Sequence, residues 1–527
     1  MALLAITACR VLLGASSDLS PDETYYYLWS ERPAASYYSK GPGVAAAIKI
    51  STLCFGKSAL GVRIFSPFLG LGTSLLLYTL ATSLFNNDRT GAWTVVILNV
   101  TPIFNAGSTL MTIDPLMIFF WSAAMLTFWR ALHRTGRTAN RYWLATGLLV
   151  GIGFLCKYTA ALQLLSMVLM LGISRRWRGQ LTRRRFYSAL GVFLLCTLPV
   201  IYWNARHGWI TVNHLKERAG GAESGGFHAA EFAEFFGMHL GVYSPLLFIG
   251  LLWGLYMAAR GAFRDDGERF LAAFAFPILL MYFGLSFREA GEGNWTAPGF
   301  LSAGLLLAHY WDTVRLGAGI KRRLQIAALF IAGAMTCVTM HTDIIRQLGI
   351  RFPYKLDPSA RLRGWQETAE TVEDITASAI KNEKKMGRSG EIFLIANRWQ
   401  LAAELAFYMR DDLPVIRPSR EHPLVHTTES RIPVHQFSFW PRYDGIDGSM
   451  GGNANVDENT ERIPDSPFVG KTALYVTDDA DRKKPPSAIV ERFEKFQLIR
   501  IFDILRGGNE VRRIKIFACY DYRPGDL

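Results

Sequence analysis

The sequence predicts a polytopic α-helical membrane protein of about eleven spans, followed by a soluble α/β domain. Three observations carry this. Half of the 527 residues are hydrophobic and the mean hydropathy is +0.15, too apolar for a soluble chain of this length. Apolar segments long enough to approach a bilayer's width recur from residue 2 to residue 341. From Thr342 onward the pattern becomes that of a water-soluble domain. The formal net charge of +13 lies entirely in the first part. Residues 1–341 carry 29 Lys and Arg against 16 Asp and Glu, and residues 342–527 carry 28 of each. The basic excess therefore reads as membrane topology and excludes a nucleic-acid surface. Six cysteines (Cys9, Cys54, Cys156, Cys196, Cys337, Cys519) form no CxxC pair and read as small core residues.

In chain order, spans are expected near 2–16, 62–84, 92–110, 115–132, 142–156, 158–173, 186–203, 237–259, 270–287, 298–313 and 324–341. The opening MALLAITACRVLLGASS lacks a basic flank and reads as a short first span rather than a cleaved leader. Arg10 in its middle has no account at this level. Gly43–Gly56 is apolar but short and carries Lys49, which suits an interfacial helix. Arginines gather in HRTGRTANR, SRRWRGQLTRRR, ARGAFRDDGER and RLGAGIKRR, which are alternate connections and so face the cytoplasm. The opposite connections, and everything after residue 341, then face out. In the tail, RLRGWQETAETVEDITASAIKNEKK has helical spacing, and EIFLIANRW and TALYVTDD read as strands. QLIRIFDILRGGNEVRRIKIFACYDY reads as two strands around a Gly-Gly-Asn turn. The polar run at 445–467 reads as a mobile loop.

Polar residues with chemical potential collect on the outer side. PDETYYYLWSERPAASYYSKGPGV holds Asp22, Glu23, Tyr37, Tyr38 and Lys40, and MTIDPL holds Asp114. WNARHGWITVNHLKERAG holds Arg206, His207, His214 and Arg218, and FREAGEGNWTAPG holds Glu289 and Asn294. Charges at the lip of a membrane domain are costly unless they bind a headgroup or do chemistry. Carboxylates that can deprotonate a hydroxyl, cations that can stabilise a departing phosphate and aromatic faces together suit sugar transfer from a phosphate leaving group. Structural roles compete at each position. Asp22, Glu23 and Asp114 are candidate helix caps, Lys40 and Lys157 candidate interfacial anchors, and His207 and His214 candidate structural histidines. Trp295 and Tyr25–Tyr27 suit an interfacial belt.

The ordered motifs DETYYYLWS, YYSKGP, TIDPLMIFFW, CKYTA, PVIYWNARHGW and GNWTAPG resemble the bacterial GT-C glycosyltransferases. The branch it most resembles is the protein-mannosyltransferase-like group that includes the lipid A aminoarabinose and galacturonic acid transferases. The resemblance covers residues 1–341. It implies a GT-C-type membrane domain with an outer-loop active site, and an extracytoplasmic C-terminal domain. It places the family's two acidic positions at Asp22 and Asp114, with Glu23 beside the first, and its functional lysine at Lys40. Relatives carry Glu before that lysine and Pro after it, where this chain has Ser39 and Gly41. That Glu is implicated in metal binding, so a divalent metal stays an open alternative.

The resulting expectation is an inner-membrane, inverting transferase. It moves one sugar from a polyprenyl-phosphate donor to a lipid (lipid A or glycolipid) or protein acceptor on the periplasmic side. Membrane lipids are its other partners. Asp22 and Asp114 are read as catalytic. Glu23, Tyr37, Tyr38, Lys40, Arg206, His207, His214, Arg218, Glu289 and Asn294 are read as substrate-binding. A transporter of lipid-linked sugars is the alternative, for which charges deep in repeated helices would be expected.

Overall fold

Helical segments dominate the first 350 residues because apolar runs in lipid must satisfy their own backbone. In the computed structural model, residues 1–218, 226, 228–261, 263–314, 318–350, 354, 357–428, 433–444, 466–506 and 509–524 are described. The elements run α1 (Ala2–Ala15), α2 (Pro21–Ser30), α3 (Gly43–Phe55), α4 (Ala59–Arg63), α5 (Phe65–Phe85) and α6 (Asp88–Val100). Next come α7 (Pro102–Gly107), α8 (Ile113–Leu132), α9 (Gly136–Cys156), α10 (Leu162–Ile173), α11 (Arg184–Arg206) and α12 (Ile210–Arg218). The helical part closes with α13 (Ala229–Tyr243), α14 (Pro245–Arg260), α15 (Asp266–Leu285), α16 (Ala297–Thr313), α17 (Ala318–Met340) and α18 (Asp343–Gln347). Two compact units result. One comprises residues 1–15, 40–202 and 212–349; the other comprises 16–39, 203–211 and 350–527.

Among the described residues of the first unit, five helical stretches are long and apolar enough to cross a membrane. They are Ala59–Phe85, Ile113–Leu132, Arg184–Arg206, Asp266–Leu285 and Gly319–Met340, with shorter apolar helices at Ala2–Ala15, Gly43–Phe55 and Tyr158–Ile173. The expected span 237–259 is instead two helices, α13 and α14, meeting at 108°. Pro245 cannot donate to the turn before it, and Ser244 takes a left-handed φ of 71° at the bend. The expected span 92–110 is likewise split. Thr101 precedes Pro102 and is held extended, which ends α6 and starts α7. Helix α8 is apolar on every side, and Trp121, Met117, Met125 and Phe128 are fully enclosed. Phe128 meets Phe270 and Phe274 of α15 and Trp143 of α9, so α8 is a central helix of its unit.

The second unit is built on a five-stranded mixed sheet. Its strands are β1 (Ile392–Ala396), β2 (Val425–Thr427), β3 (Thr472–Thr477), β4 (Phe493–Arg506) and β5 (Asn509–Tyr522), in spatial order β2-β1-β3-β5-β4. Helix α19 (Trp365–Lys385) and the four sequence-expected strands are present, with β1 and β3 parallel and β4 and β5 antiparallel. Strand β2, only three residues long, and α20 (Trp399–Tyr408) lay outside the expectation. The expected mobile loop, save for Ser466 and Pro467, and the Gly-Gly pair at 507–508 lie outside the described residues.

The tyrosine-rich segment belongs to this second unit. Tyr25 stacks against Trp399 and Phe437 at 4.4 and 5.9 Å, and its hydroxyl accepts from the Gln436 backbone N–H. Tyr27 packs edge-on to Phe407, and Arg32 covers the Trp440 ring at 4.5 Å. Tyr25, Tyr26 and Tyr27 are all buried, so they are core residues and the interfacial-belt reading is withdrawn. An α2 surface with aromatics on several sides needs protein rather than lipid headgroups around it.

His426 of β2 is buried against Phe393, Tyr443 and Phe468. Burial pushes its pKa down to about 3, and the cations His422, Arg442, Arg32 and Arg417 act in the same direction. Burial likewise lowers His435 to about 4. Both values lie below the unfolded value of about 6.5, so the unfolded chain binds protons that the native chain refuses. Stability present above pH 6.5 is therefore lost progressively as pH falls toward 4. Thermal unfolding of the full chain between pH 7 and pH 4.5 should show this decline. His426→Phe should flatten it, and an unchanged slope in that variant would refute the assignment.

Candidate active site

Asp114 sits at the second position of α8, with Thr112 rather than Asp114 as the N-cap. The Thr112 hydroxyl oxygen accepts from the Asp114 N–H at 3.4 Å. The capping role is thereby taken, and the Asp114 carboxylate is left for other partners at the positive end of a helix dipole. Lys157 Nζ donates to Asp114 Oδ1 at 2.7 Å, and Asn294 Nδ2 donates to Oδ2 at 2.6 Å. The side chains of Lys157 and Asp114 are 9 % and 17 % exposed. Lys157 therefore does not anchor at an interface, as its sequence context suggested. Its backbone is extended (φ −148°, ψ 123°) at the break between α9 and the short 3-10 turn Tyr158–Ala161. That break aims the ammonium inward. Removing one partner from such a buried pair strands the other and costs about 3–5 kcal/mol.

The Lys40 segment is held beside this break. Gly41 approaches so closely that a Cβ there would stand 2.3 Å from the Leu155 carbonyl oxygen. A Cβ on Gly43 would stand 2.6 Å from Cys156 Sγ. Only glycine permits this approach, so the turn after half-buried Lys40 is pinned to the residues immediately before Lys157.

An apolar cavity of about 90 Å³ reaches this group. Asp114 and Asn294 line it together with Tyr243, Leu251, Phe300 and Leu301. Its wall is formed by α5 through α8, α13, α14 and α16, so one lining carries both a carboxylate and a long hydrocarbon surface.

The second unit holds the other part of the sequence-derived set. Helix α2 is capped by Ser20, whose N–H donates to Glu23 Oε2 at 2.9 Å and whose hydroxyl donates at 3.0 Å. Glu23 is fully buried in this capping box, a structural arrangement worth about 1 kcal/mol. Asp22 is one position earlier and exposed. Tyr37 stacks on Trp29 at 4.5 Å and donates to the Trp29 carbonyl at 2.9 Å. Burial pushes its pKa up to about 12, so it stays a donor at neutral pH. The Tyr38 N–H donates to Gln436 Oε1 at 2.7 Å. Tyr38 and His207 both lie against Phe439, at 6.1 and 5.7 Å. His207 also stacks on Trp203 at 3.9 Å, with its Nδ1 2.7 Å from the Trp203 carbonyl oxygen. Arg206 is exposed at the end of α11.

In the first unit His214 is half-buried and Glu289 exposed. The side chain of Arg218 lies outside the described residues. The structure thus joins Asp114 to Asn294 and adds Lys157, whose one sequence signal was a lone cation at the seam between two apolar runs.

The Asp114 donor set does not fit a divalent metal. Both carboxylate oxygens are engaged, and the Lys157 ammonium occupies the cation's position. Among the described residues, the cluster of potential ligands is Asp265, Glu268 and His309, on α15 and α16 and the residue before α15.

Residues 39–203 match the family described as dolichyl-phosphate-mannose-protein mannosyltransferase. The lipid A galacturonosyltransferase RgtD of Rhizobium johnstonii is 25% identical over 415 residues, covering 78% of this chain and 82% of that protein. ArnT of Cupriavidus metallidurans, crystallised with undecaprenyl phosphate, superposes with a TM-score of 0.61 at 16% identity, over 98% of this chain and 97% of that one. The chain is similar to these transferases over most of its length. Its fold is ArnT-like, that of a multi-pass membrane protein with a C-terminal sheet domain. The undecaprenyl phosphate-alpha-4-amino-4-deoxy-L-arabinose arabinosyl transferase of Pseudomonas aeruginosa is 29% identical over 321 residues, 56% of this chain. That match spans about half the relative's length, 52%. Archaeoglobus fulgidus AglB, an archaeal oligosaccharyltransferase, shares the fold at TM-score 0.51 and 13% identity, over 90% of this chain and 69% of that one.

Proposed function

We propose that this protein is an inverting membrane glycosyltransferase. It moves a sugar from a polyprenyl-phosphate donor to lipid A, another glycolipid or a protein at the periplasmic face of the bacterial inner membrane. The observation that carries the reading is the pair Asp114 and Asn294 on the lining of an apolar cavity, with Lys157 bonded to Asp114. That pairing suits an amphipathic ligand, with hydrocarbon along the cavity and a polar headgroup at the carboxylate.

In the proposed reaction an acceptor oxygen attacks the anomeric carbon from the face opposite the phosphate. The bond from that carbon to the phosphate oxygen breaks, and its electron pair leaves with the polyprenyl phosphate. Asp22, exposed at the start of α2, takes the proton of a hydroxyl acceptor. A phosphate acceptor already ionised at neutral pH needs no base, and Asp22 then orients it. Lys40, with Arg206 and Arg218 in secondary roles, holds the donor phosphate. Asp114 and Asn294 hold sugar or acceptor hydroxyls, and Tyr37, Tyr38, His207, His214 and Glu289 shape the remainder, while Glu23 serves the fold as the cap partner of Ser20. About eleven spans within residues 1–341 form the catalytic domain, and residues 342–527 form an extracytoplasmic domain.

The test is incubation of the purified protein with a labelled undecaprenyl-phosphate sugar and a lipid A acceptor. Donor consumption with release of undecaprenyl phosphate is expected. Movement of intact donor across a vesicle membrane without its consumption would favour the transporter reading instead.

A further inference from the structure

Arg10 lies mid-way along α1 and is only 3 % exposed. Its Nε donates to Asn105 Oδ1 at 3.2 Å, and its Nη2 donates to Asn105 Oδ1 at 2.6 Å and to Asn99 Oδ1 at 3.0 Å. The Phe104 ring lies 5.5 Å from the guanidinium carbon. Every one of these partners is neutral. Among the described residues Arg10 has no carboxylate partner, and its Nη1 makes no hydrogen bond. Both asparagines are fixed in turn. Asn99 Nδ2 donates to Ser74 Oγ, and Asn105 Nδ2 donates to the carbonyls of Asn99 and Thr101 across the break between α6 and α7. The carbonyl oxygens that face Arg10 are therefore preorganised, as a designed cation seat would be.

A guanidinium keeps its charge at any physiological pH. Enclosed in an apolar bundle without an anion, it is one of the more expensive groups a membrane protein can carry, and such groups mark ligand sites. The unbonded Nη1 stands against the back of the cavity wall. It would lie 3.4 Å from a Cβ built on Gly70, and Gly70 and Phe104 both belong to the cavity wall. The other charges near that cavity, Asp114 and Lys157, neutralise each other. Arg10 is thus an uncompensated positive charge directly behind the cavity wall, at Gly70 and Phe104.

We infer that Arg10 is a binding residue for an oxyanion of the lipid-linked substrate, either the carrier phosphate or a carboxylate on the sugar. The inference rests on the proposed transferase reading and assigns the charge that its cavity must accept. Asn99 and Asn105 are its positioning residues. A charged headgroup drawn into the cavity would pair with Nη1, giving a charge-assisted hydrogen bond in a low-dielectric setting.

The test compares the purified full chain with Arg10→Met and Arg10→Lys. Affinity is measured for undecaprenyl phosphate, for uncharged undecaprenol, and for undecaprenyl-phosphate-linked uronic acid against the matching neutral hexose. Thermal midpoints without ligand are measured alongside. A phosphate site predicts that Arg10→Met loses at least tenfold in undecaprenyl phosphate affinity, keeps undecaprenol affinity, and is partly rescued in Arg10→Lys. A carboxylate site predicts unchanged undecaprenyl phosphate affinity and loss of the preference for the uronic acid. Unchanged affinities for every ligand would overturn the inference whatever the melting point, leaving Arg10 a structural clasp for the α6–α7 break. If the parent binds no undecaprenyl phosphate or its sugar conjugates, the transferase reading falls, and this inference falls with it.

Discussion

Asp114→Asn is expected to lower transfer by at least two orders of magnitude while the protein still inserts. The carboxylate is held by Lys157 Nζ at 2.7 Å and by Asn294 at 2.6 Å, in a setting largely closed to water. Neutralising it removes the group proposed to hold sugar or acceptor hydroxyls, and preorganised polar contacts of this kind are worth about 10²–10³ in rate. It also leaves Lys157 as an unpaired buried cation, costing about 3–5 kcal/mol of stability. The two consequences separate in a double variant. Asp114→Asn with Lys157→Met should melt near the parent, because no charge is stranded, yet remain inactive. Donor turnover in membranes reads the first effect and thermal unfolding the second. Near-parental turnover in Asp114→Asn would remove this residue from the site.

The second large effect is expected at Asp22 and Lys40. Asp22 is exposed at the second position of α2, where Ser20 and Glu23 already close the capping box, so its replacement disturbs little of the fold. Asp22→Asn should therefore report on chemistry. A loss of about 10²–10⁴ in transfer to a hydroxyl acceptor is expected for a missing general base. A smaller loss is expected with a phosphate acceptor, which brings its own ionised oxygen. Lys40→Ala should abolish transfer through loss of the donor phosphate contact, with KM for donor rising before turnover disappears. Both measurements use initial rates of labelled donor consumption, and near-normal rates in both variants would sink the assignment of this loop.

Several parts of the molecule were legible in the residues themselves. The helical first part follows from apolar length, and the strands at Ile392–Ala396, Thr472–Thr477, Phe493–Arg506 and Asn509–Tyr522 follow from their β-branched and aromatic runs. Glu23 was a candidate cap by residue type alone, and the structure gives the N-cap to Ser20 with Glu23 as its partner in a capping box. Less legible were the breaks. Ser244–Pro245 and Thr101–Pro102 sit inside runs whose hydropathy alone reads as continuous, and backbone geometry decides them. The Tyr25–Tyr27 run has the composition of an interfacial belt. Its true surroundings, Trp399, Phe407 and Phe437, lie hundreds of residues away in sequence.

By itself, then, the sequence determined local and bulk properties: which stretches are helices, that the charge excess belongs to the membrane part, and that Asp22, Lys40, Asp114 and Asn294 are polar groups in unusual places. Each depends on composition or on neighbours a few residues apart. Only the tertiary structure decided partnership. Asp114 meets Lys157 from 43 residues and Asn294 from 180 residues away. Arg10 finds Asn99 and Asn105 rather than an acid. A charge in a low-dielectric interior is governed by the few atoms within hydrogen-bond reach, and those are chosen by helix packing rather than by chain order.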